Sequence, residues 1–139
     1  MILDFEKIIP TSKQVSDLYK LLLNRKTSIS HKDIPSLKEH NMFVLSNPYI
    51  AWYLIYKKKK LIGSLYVQSD NSIGLTINQS EKKDISEIIS FIKVNHKPLP
   101  SIKSVRRGEF FINVAPDNFD MIKVLKELGK NEIQRSFIF

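Results

Sequence analysis

Residues 50–77 constrain the fold most, because they predict three consecutive strands joined by two tight turns. The strands are Ile50–Tyr56, Leu61–Val67 and Ser72–Ile77. All three are rich in β-branched, aromatic and other apolar residues, and the charged run Lys57–Lys60 and the pair Asp70-Asn71 separate them. Connections this short join antiparallel neighbours, because a parallel pair needs a crossover of a dozen or more residues. The stretch therefore predicts an antiparallel meander.

Helical signals lie on both sides of the meander. Thr11 and Gln14 have the spacing of a capping box, and so do Asp84 and Glu87. The predicted helices run from Ser12 to near Asn24, from Ser36 to Leu45, from Asp84 to near Asn95 and from Asn118 to Leu128, and further strands are predicted at 2–8, 110–114 and 133–139. This order predicts one α/β (α+β) domain over residues 1–139. Its sheet should be mixed and mostly antiparallel, with about six to seven strands and helices on both faces.

Charge and composition limit the function classes. Lys and Arg number 22 against 14 Asp and Glu, which gives a net charge of +8. With no Cys, the chain cannot be a disulfide scaffold, a zinc finger or a thiol enzyme. No acid–His cluster has metal-ligand spacing, so no metal site is predicted. The longest apolar run, residues 49–56, is too short to span a bilayer. We expect a cytoplasmic protein whose partner is a nucleic acid, an anionic membrane or a phosphate-bearing small molecule.

Three segments carry a resemblance to a known family. The sharpest is Phe110 to Asn118 followed by Leu128-Gly129, an apolar strand, a turn, an Asn and a helix that ends in Leu-Gly. The hairpin that contains Ile62-Gly63 and the strand Ser72–Ile77 are the other two. Together they resemble the GNAT (GCN5-related N-acetyltransferase) acyltransferase superfamily over nearly the whole chain. The resemblance implies a GNAT-like sheet and an acyl-CoA-dependent N-acyltransferase that acts on a primary amine, with an amino sugar or nucleotide-linked amino sugar as the first acceptor to consider.

The resemblance also implies where acetyl-CoA or another acyl-CoA would bind. A bulge in the third meander strand would free a backbone N–H to polarise the thioester carbonyl. The implied cofactor-binding residues are Leu75, Thr76, Ile77, Lys82, Lys83, Asp84, Ile85, Ser86 and Asn118. Asn118 is equally well explained as a simple helix N-cap.

Two departures from the family pattern concern catalysis. The family's pyrophosphate-binding loop has two small residues, and Ile85 and Glu87 stand at those positions, with Lys82 at the Arg position. This loop is therefore degenerate, and side chains there would crowd a phosphate approaching a helix N-terminus. Leu125 stands where many members have a Tyr that protonates the CoA thiolate.

Candidates for proton transfer and acceptor binding come from few residue types. His31, His40 and Glu109 are the candidate general bases, with ordinary loop or surface roles as the alternative. The acceptor-side candidates implied by the resemblance or by strand position are Asn24, Arg25, Trp52, Tyr53 and Tyr66. Strand aromatics such as these also serve as packing residues.

The basic residues divide into two predicted groups. Lys57–Lys60 should be a solvated turn. The second group should surround the CoA phosphates and comprises Lys82, Lys83, Lys93, Lys97, Lys103, Arg106 and Arg107. Two other functions stay open, a GNAT-fold binding or assembly protein without CoA chemistry and, with less support, a basic nucleic-acid-binding domain. The predicted C-terminal strand offers an edge for a homodimer.

Overall fold

The computed structural model describes residues 2–25 and 33–139. Its strands are β1 (Leu3–Lys7), β2 (Ala51–Lys57), β3 (Lys60–Val67), β4 (Ser72–Ile77) and β5 (Phe111–Ile112). Its helices are α1 (Ser12–Asn24), α2 (Leu37–Ser46), α3 (Lys82–Asn95) and α4 (Phe119–Glu127). The α+β class and the meander are confirmed.

The strands of the described residues form one mixed sheet in the order β1-β2-β3-β4-β5. The first four pair antiparallel, and β5 pairs parallel with β4 through only two positions, Ser72 with Phe111 and Ile73 with Ile112. The register shifts once within these ladders, between Ile55 and Tyr56 of β2. The predicted bulge in β4 is therefore wrong, because its pairing with β3 is unbroken from Ile73 to Ile77.

Alternation along the strands divides the core into two layers. On one face α3 and α4 pack against Tyr53, Ile55 and Leu65, and their own buried side chains include Ile85 and Leu125. On the other face α1 and Val44 of α2 pack against a second set, Trp52, Leu54, Tyr56 and Tyr66. The prediction of helices on both faces is confirmed, because side chains of a strand alternate between the two faces.

Two predicted elements differ from the structure. The expected strand at 133–139 does not form, because no described strand pairs with it and its last three residues are almost fully exposed. The sheet accordingly has five strands over the described ranges instead of six to seven. No helix of those ranges is long and apolar enough to cross a bilayer.

The start of α3 is also earlier than predicted. Its N-cap is Glu81, which makes no side-chain capping bond, and the N–H of Ile85 already donates to the carbonyl of Glu81 at 2.9 Å. Asp84 and Glu87 match the capping-box pattern but have other partners, described below. By contrast, the capping boxes of α1 (Thr11 with Gln14) and α2 (Ser36 with Glu39) both form.

Candidate functional site

A gap opens between β4 and β5, and we call it the β4–β5 gap. The strands pair only at their beginnings, so Leu75, Thr76 and Ile77 have β3 on one side and no paired strand on the other. These three residues are partly exposed, whereas the first three residues of β4 are buried. Asn113 and Val114, which follow β5, form the other wall and are also partly exposed.

The ladder shows which backbone groups face this gap. Asn78 N–H donates to Ile62 O at 2.9 Å and Gln68 N–H donates to Ser72 O at 2.9 Å, so even-numbered residues of β4 bond to β3. Bonded and non-bonded pairs alternate in an antiparallel ladder. The N–H groups of Leu75 and Ile77 therefore point away from β3 and toward the β5 side. The sequence expectation that a backbone N–H of this segment is free has a geometric basis here without a bulge.

Two helices begin at the same end of the gap. Because β4 and β5 are parallel, the chain leaves both strands at the same end of the sheet. It then enters α3 and α4, which pack on the same face. Helix N-termini carry partial positive charge and free N–H groups, and ligands of α/β sheets commonly bind outside the carboxyl ends of parallel strands. This end of the gap therefore suits an anionic group.

Ile85 and Glu87 stand where the family pattern has small residues, but their side chains do not occupy the start of α3. Ile85 is 1% exposed and belongs to the α3–α4 core. The Glu87 carboxylate accepts the N–H groups of Ile2 at 3.0 Å and Leu3 at 2.6 Å, so it holds the beginning of β1. The first-turn N–H groups instead belong to Lys82, Lys83 and Asp84. Ile85, predicted to bind the cofactor, thus has a bonded N–H and a buried side chain and offers a ligand no polar group.

An ion-pair cluster beside the start of α3 was missed by sequence reasoning. Lys57 Nζ lies 3.1 Å from both carboxylate oxygens of Asp84 and 3.3 Å from Glu81 Oε2. These partners raise the pKa of Lys57, with the Asp84 hydrogen bond as the main cause. Lys57, the first lysine of the predicted solvated turn, is therefore paired with these carboxylates. The partners stand 24 and 27 residues away, beyond the range of any local pattern.

The structure separates the predicted phosphate-facing lysines and arginines. Lys82 and Lys83 are at the start of α3, beside the gap. Lys93 is in the last turn, about 16 Å away along the axis at 1.5 Å per residue. Lys97, Lys103, Arg106 and Arg107 follow α3 and precede β5, which places them at the opposite end of the sheet. The prediction that all seven surround one phosphate site is wrong, because a helix of 14 residues lies between the two groups.

The α4 side of the gap has one polar side chain from the predicted set. Asn118 is the N-cap of α4, and its Oδ1 accepts the N–H of Met121 at 3.3 Å. Its capping role is thus observed, and its position after β5 leaves the ligand role a prediction. Leu125 is 9% exposed within the core, so it supplies neither a proton nor a polar contact.

The candidate bases do not meet in this gap. His40 is 3% exposed, its Nε2 lies 3.0 Å from Val15 O and its ring packs against Tyr19. Glu109 is exposed and precedes β5, at the opposite end from the starts of α3 and α4. His31 lies outside the described residues. Within the described ranges no group of three acidic or His side chains could hold a metal.

The acceptor-side candidates divide between the two faces of the sheet. Trp52 and Tyr66 face α1 and α2, whereas Tyr53 faces α3 and its hydroxyl lies 2.8 Å from His96 Nε2. These three aromatics therefore do not share one pocket. Tyr66 stacks with Tyr49 at a centroid separation of 3.8 Å. Asn24 ends α1 and Arg25 follows as its C-cap, on the α1 side of the sheet.

Several solved structures have a fold similar to that of this chain. The chain is 13% identical to aminoglycoside N-acetyltransferase AAC(6')-Iy in complex with CoA, with a TM-score of 0.61 over 99% of this chain and 93% of that one. It is 12% identical to the Campylobacter jejuni N-acetyltransferase PseH, with a TM-score of 0.60 over 98% and 92%. RimL, a ribosomal L7/L12 alpha-N-protein acetyltransferase, has 14% identity and a TM-score of 0.57 over 91% and 78%.

No protein-family model matches the sequence. A search of curated proteins also found no match. At identities this low, similarity of structure establishes the fold and leaves the activity to be argued from the site. The order of its strands and the solved structures that it resembles agree that this chain has the GNAT acetyltransferase fold.

Proposed function

We propose that this chain is an acyl-CoA-dependent N-acyltransferase that transfers an acetyl or similar acyl group to a primary amine. The observation that carries the proposal is the β4–β5 gap, where outward N–H groups of β4 meet the starts of α3 and α4. A thioester carbonyl in this gap would accept a hydrogen bond from Leu75 or Ile77 N–H. A pyrophosphate at the start of α3 would meet free N–H groups and the side chains of Lys82 and Lys83.

The reaction requires little covalent chemistry from the protein. The amine nitrogen attacks the thioester carbonyl carbon, the C–N bond forms, and the C–S bond breaks. The amine proton passes to solvent and the CoA thiolate takes a proton from solvent, since Leu125 cannot donate one. Positioning two substrates and polarising the carbonyl are then the main contributions of the fold.

An amino sugar or nucleotide-linked amino sugar is the acceptor we would test first. One neighbour is named an aminoglycoside acetyltransferase, which supports an amine on a sugar, whereas RimL is named a protein acetyltransferase. A panel should therefore include aminoglycosides, simple amino sugars, nucleotide-linked amino sugars and peptides with a free N-terminus.

A matched pair of variants tests the cofactor site. K82Q/K83Q removes two positive charges at the start of α3, and K93Q/K97Q removes two charges at and beyond its other end. Isothermal titration with acetyl-CoA should show weaker binding for K82Q/K83Q by about two- to thirtyfold, since two exposed charges contribute about 0.2–1 kcal/mol each. K93Q/K97Q should bind as the wild type does. Equal weakening in both variants, or no binding of CoA to the wild type at millimolar concentration, would refute this site.

The second candidate function is a GNAT-fold binding or assembly protein. Its support is that neither His40 nor Glu109 lies at the β4–β5 gap and that Leu125 has no proton to donate. The two functions separate in one assay of free thiol release in the presence of the amine panel. Binding of acetyl-CoA without release of CoA thiol for any amine would favour the second candidate.

A further inference from the structure

The lysines and arginines that lie far from the β4–β5 gap form a second feature of the molecule. Residues 88–108 contain five Lys and Arg and no Asp or Glu. Three of these cations stand in residues 101–107, which we call the basic turn. Since the turn precedes β5, it lies at the end of the sheet opposite the starts of α3 and α4. A ligand bound in the β4–β5 gap would therefore not contact these charges.

The basic turn is held in a fixed shape although it contains no strand. Ile102 and Arg106 form an antiparallel bridge, with N–H to O distances of 2.8 Å in both directions. Ser104 completes the turn with a φ of 62°. Arg106 Nε donates to Pro100 O at 2.8 Å and its Nη1 donates to Ser69 O at 3.4 Å. Arg106 therefore fastens the turn to the end of β3.

The buried side chain of Asn71 holds the basic turn in place. Asn71, only 1% exposed, donates its Nδ2 to Leu99 O at 2.9 Å and to Arg107 O at 2.8 Å, while its Oδ1 accepts Leu99 N–H at 2.7 Å. Both N–H donors and the oxygen of its amide group thus bond to Leu99 and Arg107, which lie just before the turn and at its end. An arrangement prepared in this way binds a ligand with less loss of conformational entropy than a mobile loop.

Residues 101–107 line a shallow depression that is largely open to solvent. Lys103 and Arg107 are exposed, and Ser101 and Ser104 add hydroxyl donors. The Arg107 guanidinium lies 5.7 Å from the Phe111 ring centroid, which orients it through a cation–π contact. Asp70 follows Ser69, which Arg106 contacts, and its Oδ1 already accepts Ser72 N–H at 2.9 Å. Glu109, two residues beyond the turn, is exposed.

We propose that the basic turn is a second binding site, independent of the β4–β5 gap, for a ligand that carries several phosphate groups. Arginine forks, a lysine and serine hydroxyls are the donors that phosphate oxygens accept. Such phosphates occur along a nucleic-acid backbone and in a small polyphosphate. The turn has exposed aliphatic side chains, Ile102 and Val105, and no aromatic platform, so it would contact the phosphates rather than stack on bases. This inference does not rest on the proposed acyltransferase activity.

Binding measurements on the full chain test the proposal with two probes. One is inorganic tripolyphosphate, measured by isothermal titration, and the other is a fluorescein-labelled single-stranded oligonucleotide, measured by anisotropy at about 25 and about 150 mM NaCl. K103Q/R107Q removes two exposed charges of the turn. K38Q/K130Q is the control with the same change of net charge, in exposed residues elsewhere.

We expect K103Q/R107Q to weaken binding about tenfold or more at low salt and to reduce the salt slope for the oligonucleotide by roughly two. The control variant should bind as the wild type does. Binding of tripolyphosphate alone identifies a small ligand, and binding of the oligonucleotide identifies a nucleic-acid backbone. Absence of both at low salt, or equal weakening in the control, would overturn the proposal.

Discussion

At the scale of single residues, Tyr66 and Gly74 show how β4 keeps its backbone close to an aromatic ring. A Cβ at Gly74 would lie 1.9 Å from Cζ of Tyr66, so the ring occupies the space that any side chain would need. Gly63 is similarly required, because its Cβ would lie 2.2 Å from the carbonyl oxygen of Thr76. Both glycines were visible in the sequence, but their contacts depend on the β3–β4 register.

The pair Tyr53 and His96 leads to a prediction about pH. Burial, with a further contribution from the positive charge of Lys7, lowers the pKa of His96. The unfolded chain therefore binds a proton near pH 6.5 that the folded protein does not bind. The stabilisation associated with neutral His96 is present above that pH and is lost as the pH falls through the lower, folded-state pKa. H96Q should accordingly lose less stability than the wild type between pH 7.5 and pH 5.

Urea unfolding at the two pH values measures this difference. Y53F is the control, because it removes the phenol that lies 2.8 Å from His96 Nε2 and keeps the titrating imidazole. We expect Y53F to lower stability by about 1 kcal/mol at pH 7.5 and to retain a pH-dependent loss. If H96Q and the wild type lose the same stability on acidification, His96 does not contribute the pH dependence.

At the scale of elements, α3 connects the two ends of the sheet at which we propose binding sites. Its first turn carries Lys82 and Lys83 but is also flanked by Glu81 and Asp84, which hold Lys57. Glu81 is about half exposed, whereas Asp84 is almost buried. The carboxylate of Glu81 would therefore oppose an anion that approaches the helix start, because like charges repel and Glu81 stands at the surface that the anion would reach.

Removing that charge gives a prediction specific to this element. E81Q should raise the affinity for CoA by about two- to fivefold, a free-energy change within the range of an exposed charge. E127Q, at the end of α4, changes net charge equally and should leave the affinity unchanged. Isothermal titration of both variants with CoA is the measurement. Weaker binding to E81Q would show that Glu81 supports the ligand instead of opposing it.

The elements also show how far sequence reasoning reaches. The meander and the cap of α1 depend on neighbours in the chain, and both were predicted. The cap of α2, Ser36 with Glu39, has equally local spacing but was not predicted. The start of α3 was misplaced because Asp84 and Glu87 match a local capping pattern while their actual partners are Lys57 and the N–H groups of Ile2 and Leu3. Partners so distant in sequence cannot be inferred from spacing.

For the whole molecule, the net charge of +8 is distributed over separate surfaces. The seven cations were predicted to lie together because they are close in sequence. The topology separates them, because α3 carries the chain from one end of the strands to the other. The site as a whole was only partly predictable for the same reason. Leu75 and Ile77 could be named from the strand, but which N–H groups are free depends on where β4 and β5 separate.

The C-terminal residues supply a prediction about the assembled molecule. Phe137 and Phe139 are 84% and 122% exposed, so they bury little surface against the described residues. F137S/F139S should therefore change the unfolding free energy of the monomer by less than about 0.5 kcal/mol. Urea unfolding at two protein concentrations tests this. A larger loss that grows with protein concentration would show that these side chains are buried between copies, as a homodimer requires.

The two-position contact between β4 and β5 also has a consequence for the order of folding. The strands β2, β3 and β4 are joined by turns of two and four residues, whereas 33 residues separate Ile77 from Phe111. Closing so long a loop for so few backbone bonds has a high entropic cost, so this contact should form after the meander and should be lost first. The amide of Phe111, bonded to Asn71 O at 3.2 Å, should exchange its hydrogen sooner than the amides of the β3–β4 ladder.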